Sequence, residues 1–247
     1  MWFLRQLPLT LFMVFLLLLS LSLCLKSKPH QRTVHRLKTI QQPGLSQRFF
    51  YDSAGRLARI EDSDGITTVY TYNVFSVVTV SSDLAGLLHD TLSYQLNEKG
   101  LAVSKQHRGF PGTSVTYVYD AEGRLWKEEE KNEAMQMEIR YYRSPSGQTD
   151  SVITRFTVDG WIRIHKSIFL HTASTINTIG NNSKGIFFLG KDDPFLPATG
   201  LSYYTDQAGS IDEWKHQYIS GSNGRVIKAI RTDYSNTADS TFYTYSD

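Results

Sequence analysis

The stretch "YDAEGRLWKEEE", Tyr119 to Glu130, has an earlier counterpart in "YDSAGRLARIED", Tyr51 to Asp62. Both carry Tyr, Asp, Gly, Arg and Leu in the same order at the same spacing. The segment entering the later copy alternates: Val115, Tyr117 and Tyr119 fall on one face, Thr116 and Val118 on the other. That is the period of a half-buried β-strand. Asp at the first turn position bonds to backbone two residues on. Gly three residues later takes the left-handed conformation that returns the chain, as in a type I turn followed by a bulge. An aliphatic residue then opens the return strand. One copy is therefore a β-hairpin, and Asp52, Gly55, Asp120, Gly123, Gly209 and Gly224 are read as turn residues.

Related openings occur at Tyr72, Tyr94, Tyr142, Tyr204 and Tyr218, and from Tyr51 to Tyr142 the steps are roughly 21 to 25 residues. A period of this length signals repeated supersecondary units. Gly224-Arg225-Val226 preserves the turn exit well; Gly209-Ser210-Ile211 preserves it less. These motifs resemble the YD repeat of Rhs-type proteins and teneurins, whose core is Tyr-Asp-x-x-Gly-Arg-Leu. In large members of that family, many such hairpins wind into a sheet that encloses a cavity. About seven hairpins are expected here, too few to close such a shell. The chain also resembles small envelope lipoproteins of Gram-negative bacteria that carry a few degenerate copies. The expected fold is all-β: an antiparallel meander of YD-like hairpins curled into an open or half-closed barrel-like sheet, preceded by an N-terminal signal helix.

The first residues differ from everything after them. Arg5 precedes a nearly unbroken apolar run from Leu7 to Leu25. This reads as a secretory signal over residues 1–24. "LSLC" resembles a bacterial lipobox, with Leu23 where a small residue is usual, which makes Cys24 the expected lipidation site. Two other readings stay open. The signal is cleaved and the protein released, or the run remains as a membrane anchor, being just long enough to span a bilayer. Lys26, Lys28, Arg32, Arg36 and Lys38 follow it, a flank that the positive-inside rule places in the cytoplasm. Residues 25–46 are polar and basic and read as a tether, with His30 and His35 as solvated linker residues. Residues 47–247 then form a single repeat domain.

Two stretches depart from the repeat. In "LWKEEEKNEAMQMEIRYY", helix-forming composition conflicts with the alternation of Met135, Met137, Ile139 and Tyr141, and the alternation decides for a hairpin turning near Lys131-Asn132. Residues 161–200 lack the repeat core, are rich in Ile and Phe, and end in a Gly/Pro/Asp-rich loop. They are expected either to close one end of the sheet or to form its ligand-facing part.

The chemistry-bearing motifs are few. A nucleophile elbow, a phosphate loop and a dinucleotide glycine cluster are absent from the sequence. The single cysteine excludes an internal disulfide and a Cys-based metal site. His165 and His171 on one strand would lie about 20 Å apart, too far for one metal. "EDSDG", Glu61 to Gly65, reads as a polar hairpin tip, because a calcium loop needs more oxygen ligands at set spacing. No metal or cofactor is expected. A net charge of +2 argues against nucleic acid as partner. Trp126, Trp161 and Trp214 are the candidate ligand contacts, since aromatic faces stack on sugar rings; they serve equally to stabilise cross-strand pairs.

The function expected from the sequence is a non-catalytic envelope lipoprotein, in the periplasm or at the outer membrane, that holds a partner protein or a glycan. Exposed edge strands would offer a partner a place to add a strand. One alternative is an envelope polysaccharide hydrolase using scattered carboxylates such as Asp192, Asp193 or Glu213. The other is a membrane-anchored protein facing the cytosol.

Overall fold

The structure, a computed structural model, describes residues 35–171, 175–206 and 211–246. The signal, Cys24, the tether up to residue 34, and Gly209 lie outside the described residues. His35–Asp247 forms one compact unit.

The first eight strands are β1 (Leu37–Gln42), β2 (Leu45–Tyr51), β3 (Leu57–Asp62), β4 (Thr67–Tyr72), β5 (Ser76–Ser82), β6 (Leu88–Leu96), β7 (Ala102–His107) and β8 (Phe110–Tyr119). The next four are β9 (Leu125–Lys131), β10 (Met135–Arg143), β11 (Thr149–Val158) and β12 (Trp161–Leu170). The last four are β13 (Thr199–Tyr204), β14 (Ile211–Ser220), β15 (Val226–Asp233) and β16 (Ala238–Tyr245). Each pairs antiparallel with its neighbours in sequence, and β1 pairs with β16, so the sheet is a closed barrel.

Closure corrects the expectation of an open or half-closed sheet with about seven hairpins. The strands not counted are β1, read as tether, and the β12–β13 pair, which is joined by the long insertion rather than by a turn. The degenerate copies keep the backbone geometry of the turn without the Tyr-Asp signature. Asn97, Ser144 and Gly221 occupy the place of Asp52 and Asp120: each donates its N–H to the carbonyl four residues on, and accepts at its own carbonyl from the glycine three residues on. Gly55, Gly100, Gly123, Gly147 and Gly224 all have φ between +73° and +82°. Register shifts precede the turns at Phe50/Tyr51, Gln95/Leu96, Val118/Tyr119, Tyr142/Arg143 and Ile219/Ser220, the expected bulges. Strand also begins earlier than expected. Leu37–Gln42, read as tether, is β1, because Leu37 is fully buried opposite Tyr245. A short basic strand gives little periodicity of its own; its partner lies at the far end of the sequence.

Alternation sorts the wall into two faces. Phe188, from the segment between β12 and β13, packs edge-on against Tyr72 and Tyr94. It forms a core with Val77, Ala102, Val115 and Tyr117. Register carries this inward face around the barrel, so that Tyr51, Tyr119, Tyr141, Tyr218 and Tyr245 also point into the lumen. The tyrosines that end their strands reach back one hairpin. Tyr51 donates to the Leu37 carbonyl at 2.6 Å, Tyr72 to Leu57 at 2.9 Å and Tyr245 to Val226 at 2.8 Å. Each acceptor opens a return strand and is itself buried. The arginine of the turn then lies over the tyrosine ring of the following strand pair: Arg56 over Tyr72 at 4.3 Å and Arg225 over Tyr245 at 5.3 Å. Tyr, Arg and the aliphatic residue of the repeat thus join adjacent hairpins, while Asp and Gly make the turn.

Candidate functional site

All the turns that follow even-numbered strands lie at one end of the barrel, and residues 175–198 cross that end. This insertion contains a short helix α1 (Asn181–Lys184) and a 3₁₀ turn, Phe187–Leu189. Of the stretch 161–200, the first ten residues are the ordinary strand β12, and residues 175–198 form this plug.

The plug is bonded to turns around the rim. Leu57 N–H donates to the Gly185 carbonyl, Lys191 N–H to Gly123, and Tyr218 to Pro197. Glycine is required at Gly190, where a Cβ would overlap the Tyr119 ring and the Gly123 carbonyl. Asp193 accepts from Arg143 Nε at 3.4 Å and from the Thr149 N–H at 3.2 Å. Asp192 accepts the N–H groups of Asn181 and Asn182, at the start of α1. Buried Gln148 exchanges hydrogen bonds with Phe195: its Nε2 donates to the carbonyl at 2.8 Å, and its Oε1 accepts the N–H at 3.1 Å. His171 Nε2 donates to the Thr149 carbonyl at 2.7 Å, which leaves Nδ1 to accept from Gln148. These two bonds fix the His171 ring in one orientation in a structural role.

A hollow of about 1280 Å³ lies between the plug and the turns at Asn97–Leu101 and Tyr119–Gly123. Of its carboxylates, Asp192, Asp193 and Asp120 are bonded to the plug or to their own turn, and Glu98 and Glu122 stand on the turns themselves. The opposite end of the lumen is different. Arg163, Asp212, Arg231 and Asp239 face inward by register yet are exposed, so the lumen there admits water. A cavity of about 490 Å³ is lined by Phe156, Trp161, Arg163, Tyr204 and Asp206. The Arg163 guanidinium lies 4.6 Å from the centre of the Tyr204 ring and 3.5 Å from Asp206. His165 packs against the same tyrosine at 5.0 Å. Deeper on the same side, Trp214 lies between Phe169 and His216 and covers Gly200, where a Cβ would overlap its ring. Burial, and then the charge of Arg231, hold the His216 imidazole below its ordinary pKa.

The three sequence-predicted tryptophans are not brought together. Trp161 is at the open rim and 83% exposed; Trp214 is inside the lumen; Trp126 sits at a bulge in β9, 45% exposed. Only Trp161 borders the cavity. Its partners Tyr204, Arg163 and Asp206 were missed, because their convergence depends on the β12–β13 pairing across the plug. The suggested carboxylates do not form an acid/base pair: Asp192 and Asp193 hold the plug, and Glu213 faces outward opposite Leu201. Of Glu61–Gly65, Glu61 belongs to β3 and pairs with Arg48 and Arg59, and Asp62–Gly65 makes the hairpin turn to β4. Among the described residues, no three His, Cys, Asp or Glu gather to hold a metal. Strand edges for a partner to extend are also lacking among the described strands, since the barrel closes.

The RHS repeat family model matches residues 51–81, so that stretch carries an RHS (YD) repeat. No curated protein matches the sequence. Among solved structures, a porin-like protein from Bacteroides uniformis ATCC 8492 aligns over 85% of this chain and 96% of its own, with TM-score 0.56 and 18% identity. A porin-like protein from Bacteroides vulgatus ATCC 8482 aligns over 85% and 99%, with TM-score 0.63 and 13% identity. Both are similar in fold.

Proposed function

We propose that this chain is a non-catalytic binding module of the cell envelope that takes a saccharide into the unplugged end of its lumen. The observation that carries this reading is the Trp161, Tyr204, Arg163 and Asp206 cavity. It combines aromatic faces for the apolar side of a sugar ring with a half-exposed ion pair whose donors and acceptors suit hydroxyl groups. The loss of sheet edges removes the main argument for a protein partner bound by strand addition.

The envelope location rests on the N-terminal apolar run and, more loosely, on the porin-like fold. A channel spanning a bilayer is a poorer reading. The outer face carries Arg48 with Glu61, Lys127 with Glu129, and Glu138 with Arg140. In a lipid-facing barrel that band is apolar, and each Lys or Arg at the midplane costs about 2–4 kcal/mol. The plug also obstructs one mouth. A periplasmic barrel tethered through Cys24 fits these features.

The test is titration of the protein with oligosaccharides released from bacterial envelopes, followed by calorimetry. Saturable binding that Trp161→Ala or Tyr204→Ala weakens at least tenfold, and Trp126→Ala leaves unchanged, is expected. Absence of binding, or binding indifferent to the first two changes, rejects the reading. Release of reducing ends during the titration would instead establish hydrolysis.

A further inference from the structure

The outer wall is not uniform. From β2 to β8 its outward residues are mostly Ser, Thr, Gln and Val, and the charges there and on β9 and β10 are largely paired within the wall. Arg48 and Arg59 both meet Glu61, Lys127 meets Glu129, and Arg140 meets Glu138. From β11 to β15 the outward face changes character. Ile164, Ile168, Leu170, Leu201, Tyr203 and Ile211 lie on it, neighbours across the β12–β13–β14 ladders. Leu170 is 65% exposed and Ile211 61%. Four cations sit among them by register: Arg155, Lys166, Lys215 and Lys228. Arg155 faces Glu138 across the β10–β11 ladder and Lys228 lies over the Phe242 ring, whereas Lys166 and Lys215 have no ion-pair partner among the described residues; the carboxylates nearest them are Glu213 on the same face and exposed Asp150 at the β11 bulge.

We infer that this wall is a docking face for the surface of an anionic lipid bilayer, on which the barrel lies along its side. Clustered large aliphatic side chains on a water-exposed sheet mark an interaction surface. Long cations between them bury their stems and keep their charge at the interface, the arrangement that suits acidic headgroups. An all-apolar partner would leave Lys166 and Lys215 unmatched; an acidic soluble partner would leave the aliphatic face unmatched. A negatively charged membrane answers both. This surface is separate from the lumen, so binding there and binding of a saccharide are independent properties.

Every ladder of the barrel lies within residues 35–247 and the sheet closes on itself, so this fragment folds without the apolar N-terminus that would partition into lipid by itself. It is mixed with phosphatidylcholine vesicles, with and without phosphatidylglycerol, and floated on a density gradient. The fragment is expected to float only with the anionic vesicles, and less at high salt. Lys166→Gln and Lys215→Gln should each lower partitioning about fivefold. Ile164→Ser with Ile168→Ser should abolish it, with melting curves verifying that the variants fold. Arg48→Gln, on the opposite wall, should change nothing. Failure to float with any vesicle, or flotation indifferent to the β12 and β14 substitutions, overturns the inference. Concentration-dependent dimers lost with the same substitutions would overturn it too, assigning the face to a second copy; so would an acidic protein partner.

Discussion

The hydroxyl of Tyr72 donates a 2.9 Å hydrogen bond to the carbonyl of Leu57, the buried first residue of the preceding hairpin's return strand. The same relation recurs between Tyr245 and Val226. Deleting the donor leaves a buried carbonyl unpaired, which costs about 1–3 kcal/mol. Tyr72→Phe and Tyr245→Phe should each lower stability by that amount in urea denaturation. Tyr234→Phe, on a residue 74% exposed, should leave the midpoint where it was. Equal effects at all three positions would show that the inward bonds are not what stabilises the seams.

Gly190 and Gly160 both have positive φ, +91° and +81°, but differ in surroundings. A side chain at Gly160 meets open space, whereas one at Gly190 meets Tyr119 and Gly123. Gly160→Ala should cost about 1 kcal/mol from backbone strain alone. Gly190→Ala adds overpacking and should cost about 1–3 kcal/mol more. It should also unseat the plug, seen as faster proteolysis between residues 175 and 198 before the barrel unfolds. Unchanged cleavage there would mean the plug is held without this contact.

Glu128 faces the lumen between Tyr117 and Ile139. Burial raises its pKa above the ordinary carboxylate value; Lys105 opposes the shift and Glu130 adds to it. A carboxyl whose folded pKa is raised favours the fold fully below its unfolded pKa, about 4.5, and that contribution is lost as pH rises through the folded value. Glu128→Gln should therefore stabilise the protein at pH 7 and make no difference near pH 4. A destabilised Gln variant at pH 7 would indicate that the charge has a partner it needs.

The inward tyrosines set an alkaline limit. Burial pushes the hydroxyls of Tyr94 and Tyr141 up to about 12, and those of Tyr51, Tyr72, Tyr117, Tyr119 and Tyr218 higher. These groups ionise near pH 10 in the unfolded chain. Their raised values stabilise the fold below that pH, and the stabilisation is lost as pH climbs through the folded values. Tyrosinate absorbance from the lumen should thus appear in one step with loss of circular dichroism. A gradual rise in an intact barrel would place these rings in water.

The hairpin unit was legible because Asp52 and Asp120 advertise their turns and the preceding strands alternate cleanly. Ser144 and Gly221 make the same turn with commoner residues, found only through the tyrosines before them; the strand count fell short because β12 pairs with β13 across a long insertion with no repeat core. Closure itself was illegible for a different reason: Leu37 has no local signal and is defined by Tyr245. The rim cavity had one visible member, Trp161. Arg163 and Asp206 looked like ordinary surface charges until β12 and β13 paired around the plug.

The Arg36 N–H donates to the Ser246 hydroxyl across the seam, joining positions 210 residues apart, and the ladder it belongs to has no intermediate stage. Sixteen strands can zip hairpin by hairpin, yet none of that progress counts as a cylinder until the last strand meets the first. Such long-range closure makes folding slow and leaves a temporary open edge on each side of the gap. Once sealed, the ring has no privileged beginning. A circular permutant joined across the seam and opened at Lys131-Asn132 should reach the same barrel, because the order of strands around a circle survives any choice of starting point.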